Sequence, residues 1–145
     1  MAEMVEKILH DDVLYAIIVR DDFREDGIHF FTTNDLSQQL AFMKHRKGKT
    51  IDPHIHLPVK REVHRTQEVL VIKSGQLRVD FYSEAQEYLE SRTLAGGDVV
   101  LLIAGGHGFE VLDDLEMFEI KQGPYSGDQD KQRFTVNERS IRSGE

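Results

Sequence analysis

Residues Gln67 to Tyr82 read QEVLVIKSGQLRVDFY. Two short runs, VLVIK and LRVDFY, are built largely from β-branched, aliphatic and aromatic residues, and Ser74-Gly75 stands between them as a turn signal. The expectation is two strands, Val69–Lys73 and Leu77–Tyr82. Outward from this stretch the same grammar repeats. Further strands are expected at Val13–Val19, Ile28–Thr32, Gln39–His45, Tyr88–Leu94, Val99–Ile103, Gly108–Leu112 and Leu115–Lys121. Asn34-Asp35, Lys47-Gly48, Gly96-Gly97, Gly105-Gly106 and Asp113-Asp114 supply turn chemistry between them. Short connections favour antiparallel neighbours, and many short strands favour a sandwich or barrel. Val5 to Leu9 reads as a short helix or strand, and Ser83 to Ser91 as a hairpin loop running into a strand.

Composition narrows the class. A chain of 145 residues suits one domain with one core. Its longest apolar stretches, Val13 to Val19 and Val99 to Ala104, are strand-length and far short of a membrane-spanning helix. No basic segment followed by an apolar one opens the chain, so no signal peptide is expected. Cysteine is absent, which excludes disulfides and thiolate ligands and fits a cytoplasmic protein. A net charge of −8 argues against a nucleic-acid partner. The densest basic stretch, Lys44 to Lys49, is followed by Lys60 and Arg61. It reads as a solvated loop or as a rim that attracts an anionic small molecule. From Gly127 to Glu145 the chain is polar, with Phe134, Val136 and Ile141 as exceptions. That suits a frayed tail or an arm laid over a partner by Phe134 and Val136.

Three places carry chemistry. His54 and His56, if on a strand, share a face, with Cα atoms about 6.5 Å apart, so both imidazoles can reach one ion. Glu68 shares its parity with Leu70 and Ile72. If those point into a core, so does the carboxylate, which then needs a partner. His107 in AGGHGF alternates with Gly108 and shares its parity with Phe109 and Val111. Glu116 and Glu119 fall on opposite faces of the last strand, so at most one looks inward.

Together these positions resemble the cupin superfamily. Gly48 lies six positions before His54, His56 follows, and Glu68 lies seven positions before Gly75, which matches both flanks of the first cupin motif. The middle departs from it: eleven residues, Leu57 to Gln67, separate His56 from Glu68. Of the second motif only Gly96 and His107 remain, with Leu102, Ala104 and Val111 at its other positions. The resemblance spans roughly residues 37 to 123. It implies an all-β, cupin-type jelly-roll barrel over that core, with short N-terminal and C-terminal extensions, in a single domain of residues 1 to 145. It further implies one divalent transition metal (Fe, Mn, Ni, Zn or Cu) held by His54, His56, Glu68 and His107, with Gln67 and His64 as substitutes for Glu68.

Lys60, Arg61, His64 and Arg65 would then form a lid near the site. His64, Lys60 and Tyr82 are the catalytic candidates, with Tyr125 as a further proton donor. The leading expectation is a metal-dependent enzyme acting on a small polar or anionic substrate. Gln67 to Tyr82 also resembles the core hairpin of cupin sugar ketoisomerases, which implies a sugar-nucleotide isomerase or epimerase with His54 or His56 as base. The third expectation is a non-catalytic small-molecule or carbohydrate-binding module. A homodimer is expected, with Val13 to Val19 covering a sheet edge.

Overall fold

The computed structural model describes residues 4 to 136. They divide into two compact units, one of residues 4–23 with 65–136 and one of Arg24–His64. Ile141, the third apolar residue of the polar tail, lies outside the described residues.

The first unit is built on a six-stranded antiparallel sheet, strongly curled into a half-barrel. Its strands are β1 (Val5–His10), β2 (Val13–Val19), β5 (Glu68–Tyr82), β6 (Tyr88–Ala95), β7 (Val99–Leu102) and β8 (Gly106–Lys121), and a 3-10 turn follows at Gly127–Asp130. The ambiguous N-terminal segment is thus a strand. It joins β2 through Asp11 and Asp12, both at positive φ, as a two-residue hairpin requires. β2 lies inside the sheet between β1 and β7, so it does not cover an edge. β5 is the spine. It pairs with β7 through Glu68–Val71 and with β6 through Gln76–Tyr82, and along its other side with β8.

The two expected strands around Ser74-Gly75 are one strand of 15 residues, and Gly108–Leu112 and Leu115–Lys121 merge into one of 16. The turn signals do not reverse the chain because they face each other. The ladder slips between Ile72 and Leu77, with Ser74 opposite Glu116 and Gln76 opposite Asp113. Gly75 sits there at φ +93, and a Cβ on it would lie 2.0 Å from the Asp114 carbonyl oxygen. Only glycine allows both this φ and this approach. Facing irregularities bend a two-stranded ribbon without breaking it.

The slip also decides which side chains share a face. Leu70 and Ile72 before it, and Leu77, Val79 and Phe81 after it, join one buried cluster with Ile8, Ile18, Leu94, Val100 and Leu102. Full burial of each such side chain stabilises by about 1.5–3 kcal/mol. At the far end of the sheet, the buried Asp98 carboxylate accepts the backbone N–H groups of Asp21 and Ala95 and a 3.1 Å bond from Arg20. This ties the β6–β7 turn to the end of β2.

The second unit holds a hairpin of β3 (Gly27–Phe30) and β4 (Ala41–Lys44). Thr32 and Gln39 close its loop at 2.7 Å, and Gln39 Nε2 donates to the Thr33 and Leu36 carbonyls. From residue 49 to residue 64 the chain has no regular secondary structure and is exposed throughout.

Candidate functional site

Glu68 opens β5, and its ladder partner is Lys121 at the end of β8. His107, near the start of β8, pairs with Phe81 at the other end of β5. Thirteen residues of straight strand would hold Glu68 and Phe81 about 43 Å apart. Yet His107 Nε2 lies 3.8 Å from Glu68 Oε2. The curl of the β5–β8 ribbon brings its two ends together, and the face they share is therefore concave. Parity works as expected for Glu68, which is buried on the same face as Leu70 and Ile72. It works for His107 as well, opposite the fully buried Phe81.

The site contains groups that the sequence reading did not select. Glu119 is the inward one of the Glu116–Glu119 pair, because the ladder sets it opposite Leu70. It hydrogen-bonds to Glu68. Burial pushes the Glu68 carboxyl above the usual carboxylate range, and the bond to Glu119 and its negative charge push it the same way, against Lys121 and Lys131. His107 is lowered by burial, with Glu119 opposing and Lys131 assisting, and so favours neutral imidazole. Lys131 was hidden in the polar tail. That tail is anchored: Thr66 donates to Asp130 at 2.8 Å, and the Phe134 ring meets Tyr82 edge-on at 5.0 Å. Phe134 therefore packs on its own chain.

Tyr82 is buried between Tyr88 and Phe134, with its hydroxyl raised by burial and then by Asp80 and Tyr88. The slip in β5 places it on the sheet face opposite Glu68 and His107. Tyr125 is exposed beside Lys121, whose Nζ lies 5.5 Å from the ring centroid.

The second unit holds the remaining candidates. His54 and His56 lie off any strand, which corrects the premise that a strand aligns them. Their rings nonetheless meet edge-on at 5.3 Å. His54 Nδ1 donates to the Asp52 carbonyl at 2.8 Å, so the lone pair is left on Nε2, the arrangement of a metal-ready imidazole. Lys60, Arg61 and His64 are exposed, and His64 lies 3.6 Å from Glu62. The basic rim takes the form of a cleft of about 620 Å³ lined by Lys44, His45, Arg46, Lys49, Asp26 and Ile28. Lys44 already pairs with Asp26 at 3.2 Å. Among the described residues no group of three or more His, Asp or Glu side chains is close enough to hold a metal ion.

Arg65, where the first unit resumes, pairs with Glu84, and Glu84 also accepts the Gly105 N–H at 3.2 Å. The expected lid thus has its last cation engaged at the rim of the curled sheet. No protein-family model matches the chain, and neither a curated protein nor a solved structure is significantly similar to it.

Proposed function

We propose that the protein binds one divalent transition-metal ion, with Glu68 and His107 among its ligands, and acts on a small polar or anionic molecule. The observation that carries this reading is the approach of Glu68 and His107 from opposite ends of one curled ribbon. A buried carboxyl calls for a proton or a cation, and Glu68 is buried, with the exposed Glu119 beside it. A neutral imidazole beside it is the ligating form. The donor set of nitrogen and oxygen suits Fe, Mn, Ni, Zn or Cu.

When bound, such an ion supplies Lewis acidity. The chain's own groups do the rest. Lys121 and Lys131 bring positive charge to the site and favour an anionic ligand. Glu68, its carboxyl raised by burial, can hold a proton and pass it to the ligand. Closure of the half-barrel into a cupin-type jelly roll belongs to the same proposal and is supported by the motif flanks at Gly48 and Gly75.

Elemental analysis of purified protein, followed by calorimetric titration with Mn(II), Ni(II) and Zn(II), tests the reading. One ion per chain is expected, and His107→Ala lowers affinity at least about tenfold, no less than removing an outer partner of a ligand would. Absence of binding by native protein rejects it. The 3.8 Å approach of His107 to Glu68 then favours a metal-free acid–base site, with His107 as base and the raised Glu68 carboxyl as acid. Thermal-shift screening with sugar nucleotides, with and without chelator, separates that isomerase-like chemistry from metal-dependent binding.

A further inference from the structure

The two ends of the β5–β8 ribbon meet along a seam, and the 3.8 Å approach of His107 to Glu68 marks its inner side. One tie across it starts at Arg65, just before β5. Arg65 pairs with Glu84, which also accepts the Gly105 N–H just before β8. A second tie is the C-terminal segment. Asp130 accepts a 2.8 Å hydrogen bond from Thr66, at the Glu68 end of the seam. Phe134 meets Tyr82 edge-on at 5.0 Å and covers Gly106, the chain neighbour of His107, where an added Cβ would lie 3.0 Å from its ring. The segment therefore has one anchor on each side of the seam.

Lys131 stands between those anchors. The step from Asp130 to Phe134 spans at most about 14 Å even when fully extended. With both anchors held, Lys131 stays at the mouth of the site. Burial raises Glu68 and lowers His107, and the charge of Lys131 acts on both, against the first shift and with the second. Its side chain is exposed and makes no ion pair among the described residues. A lysine held beside a buried carboxyl and a buried imidazole, with no carboxylate of its own, is open to an incoming oxyanion.

The anchors are slight. Gly127–Asp130 is a single 3-10 turn, and residues 131–136 have no regular secondary structure. One anchor is an exposed hydrogen bond between side chains, and the other is one ring against another. Segments held by so few buried contacts are the first parts of a fold to open locally. Undocking carries Lys131 away from the mouth, and a ligand that touches Lys131 opposes undocking.

We propose that residues 127–136 are a strap whose docking presents Lys131 to the oxyanion, carboxylate or phosphate, of a small ligand at the Glu68–His107 site, so that docking and ligand binding strengthen each other. The coupling is reciprocal: the docked strap tightens the anion, and the anion tightens the strap by the same factor. This role rests on the proposed function of the site as one for a small anion, and it holds with or without an ion there. Lys131 is the specificity residue. Phe134 is a positioning residue, since its ring lies against Tyr82, on the sheet face away from Glu68 and His107.

Methyl phosphate and glycolate are the probes, one for each oxyanion, titrated calorimetrically into the full chain with chelator and with equimolar Ni(II). Native protein is expected to bind at least one of them. Lys131→Gln weakens that binding at least about tenfold, Lys131→Arg keeps it within about threefold, and Phe134→Ala weakens it about three- to tenfold. Because Lys131 is exposed, neither substitution there moves Tm by more than about 2 °C. Trypsin cleavage after Arg133 reads the strap itself. The bound probe slows it about fivefold or more in the native chain and leaves it unchanged in Lys131→Gln. Failure of both probes to bind overturns the proposal, as does cleavage that the probe does not slow. So does probe affinity in Lys131→Gln or in Phe134→Ala equal to that of native protein, or binding lost in Lys131→Arg as well, which would mean packing rather than charge. Ni(II) binding separates this role from the metal reading. Nickel bound, with probe affinity indifferent to Lys131, removes the strap alone, and Lys131-dependent probe binding without nickel removes the metal alone.

Discussion

Replacing Gly75 with alanine tests whether the paired slips in β5 and β8 build the site. Gly75 has φ +93, a conformation that costs a residue with a side chain about 1–3 kcal/mol. The new Cβ would lie 2.0 Å from the Asp114 oxygen, 2.8 Å from its carbonyl carbon and 2.9 Å from the Leu115 Cα. All three are backbone atoms, so no side chain can swing aside. The strands must separate by more than about 1 Å, at a further cost of about 1–3 kcal/mol. At about 2–4 °C per kcal/mol for a chain of this size, Tm falls on the order of 10 °C. Gly127→Ala is the control in the same unit, because Gly127 also has positive φ but a Cβ there meets nothing within 4 Å. It carries only the conformational cost, about 1–2 kcal/mol. Thermal unfolding measures the stability difference, and titration of the imidazole nitrogens by NMR measures the site. In Gly75→Ala the ends of the ribbon separate, and the depressed His107 titration moves back toward its ordinary range. If Gly75→Ala melts within about 2 °C of Gly127→Ala and His107 titrates as before, the bulge does not set the curl and the reasoning fails.

Asp98→Ala removes the acceptor shared by the Asp21 and Ala95 N–H groups and Arg20, and is expected to cost about 2–4 kcal/mol in denaturant unfolding. A loss below about 0.5 kcal/mol would show that water replaces the carboxylate freely. Burial raises the Glu6 carboxyl, but hydrogen bonds and charge from Arg20 and Arg92 outweigh it and hold the group below the usual carboxylate range. A depressed acid stabilises above its unfolded pKa of about 4.3 and loses that contribution as pH falls. Glu6→Gln is therefore expected to lower stability by roughly 1 kcal/mol at pH 7 and by progressively less below about pH 4. A difference that does not change with pH would mean that shape, not charge, is at stake. Phe134→Ala removes the edge-on contact with Tyr82 and the cover over Gly106. A loss of about 1–2 kcal/mol and faster proteolysis after Lys131 are expected, whereas unchanged cleavage would show a tail that is not held.

Much of the strand pattern was legible because alternation reports which side of a sheet is dry. β2, β6 and β7 fall close to their expected spans, and the inward parity of Glu68 and His107 follows from their apolar neighbours. The merging of four expected strands into two was not legible. Ser74-Gly75 and Asp113-Asp114 have the composition of turns, and only their meeting across the ladder makes them bulges. Glu119 was undecided for the same reason, since a slip in register changes which side chains share a face. Lys131 and Phe134 stand in a stretch without periodicity, and what holds it is contact with Thr66 and Tyr82, far away in the chain.

The amino-acid order thus determined locally what each short segment prefers: extended backbone, a dry side and a wet side, and polar residues that need partners. It could not determine where the ends of a long ribbon meet. That depends on curvature summed over many residues and on one carbonyl lying against a glycine from another strand. Only the tertiary structure decided that Glu68 and His107 face each other, because their 3.8 Å separation is a property of the curled ribbon and not of either strand's sequence.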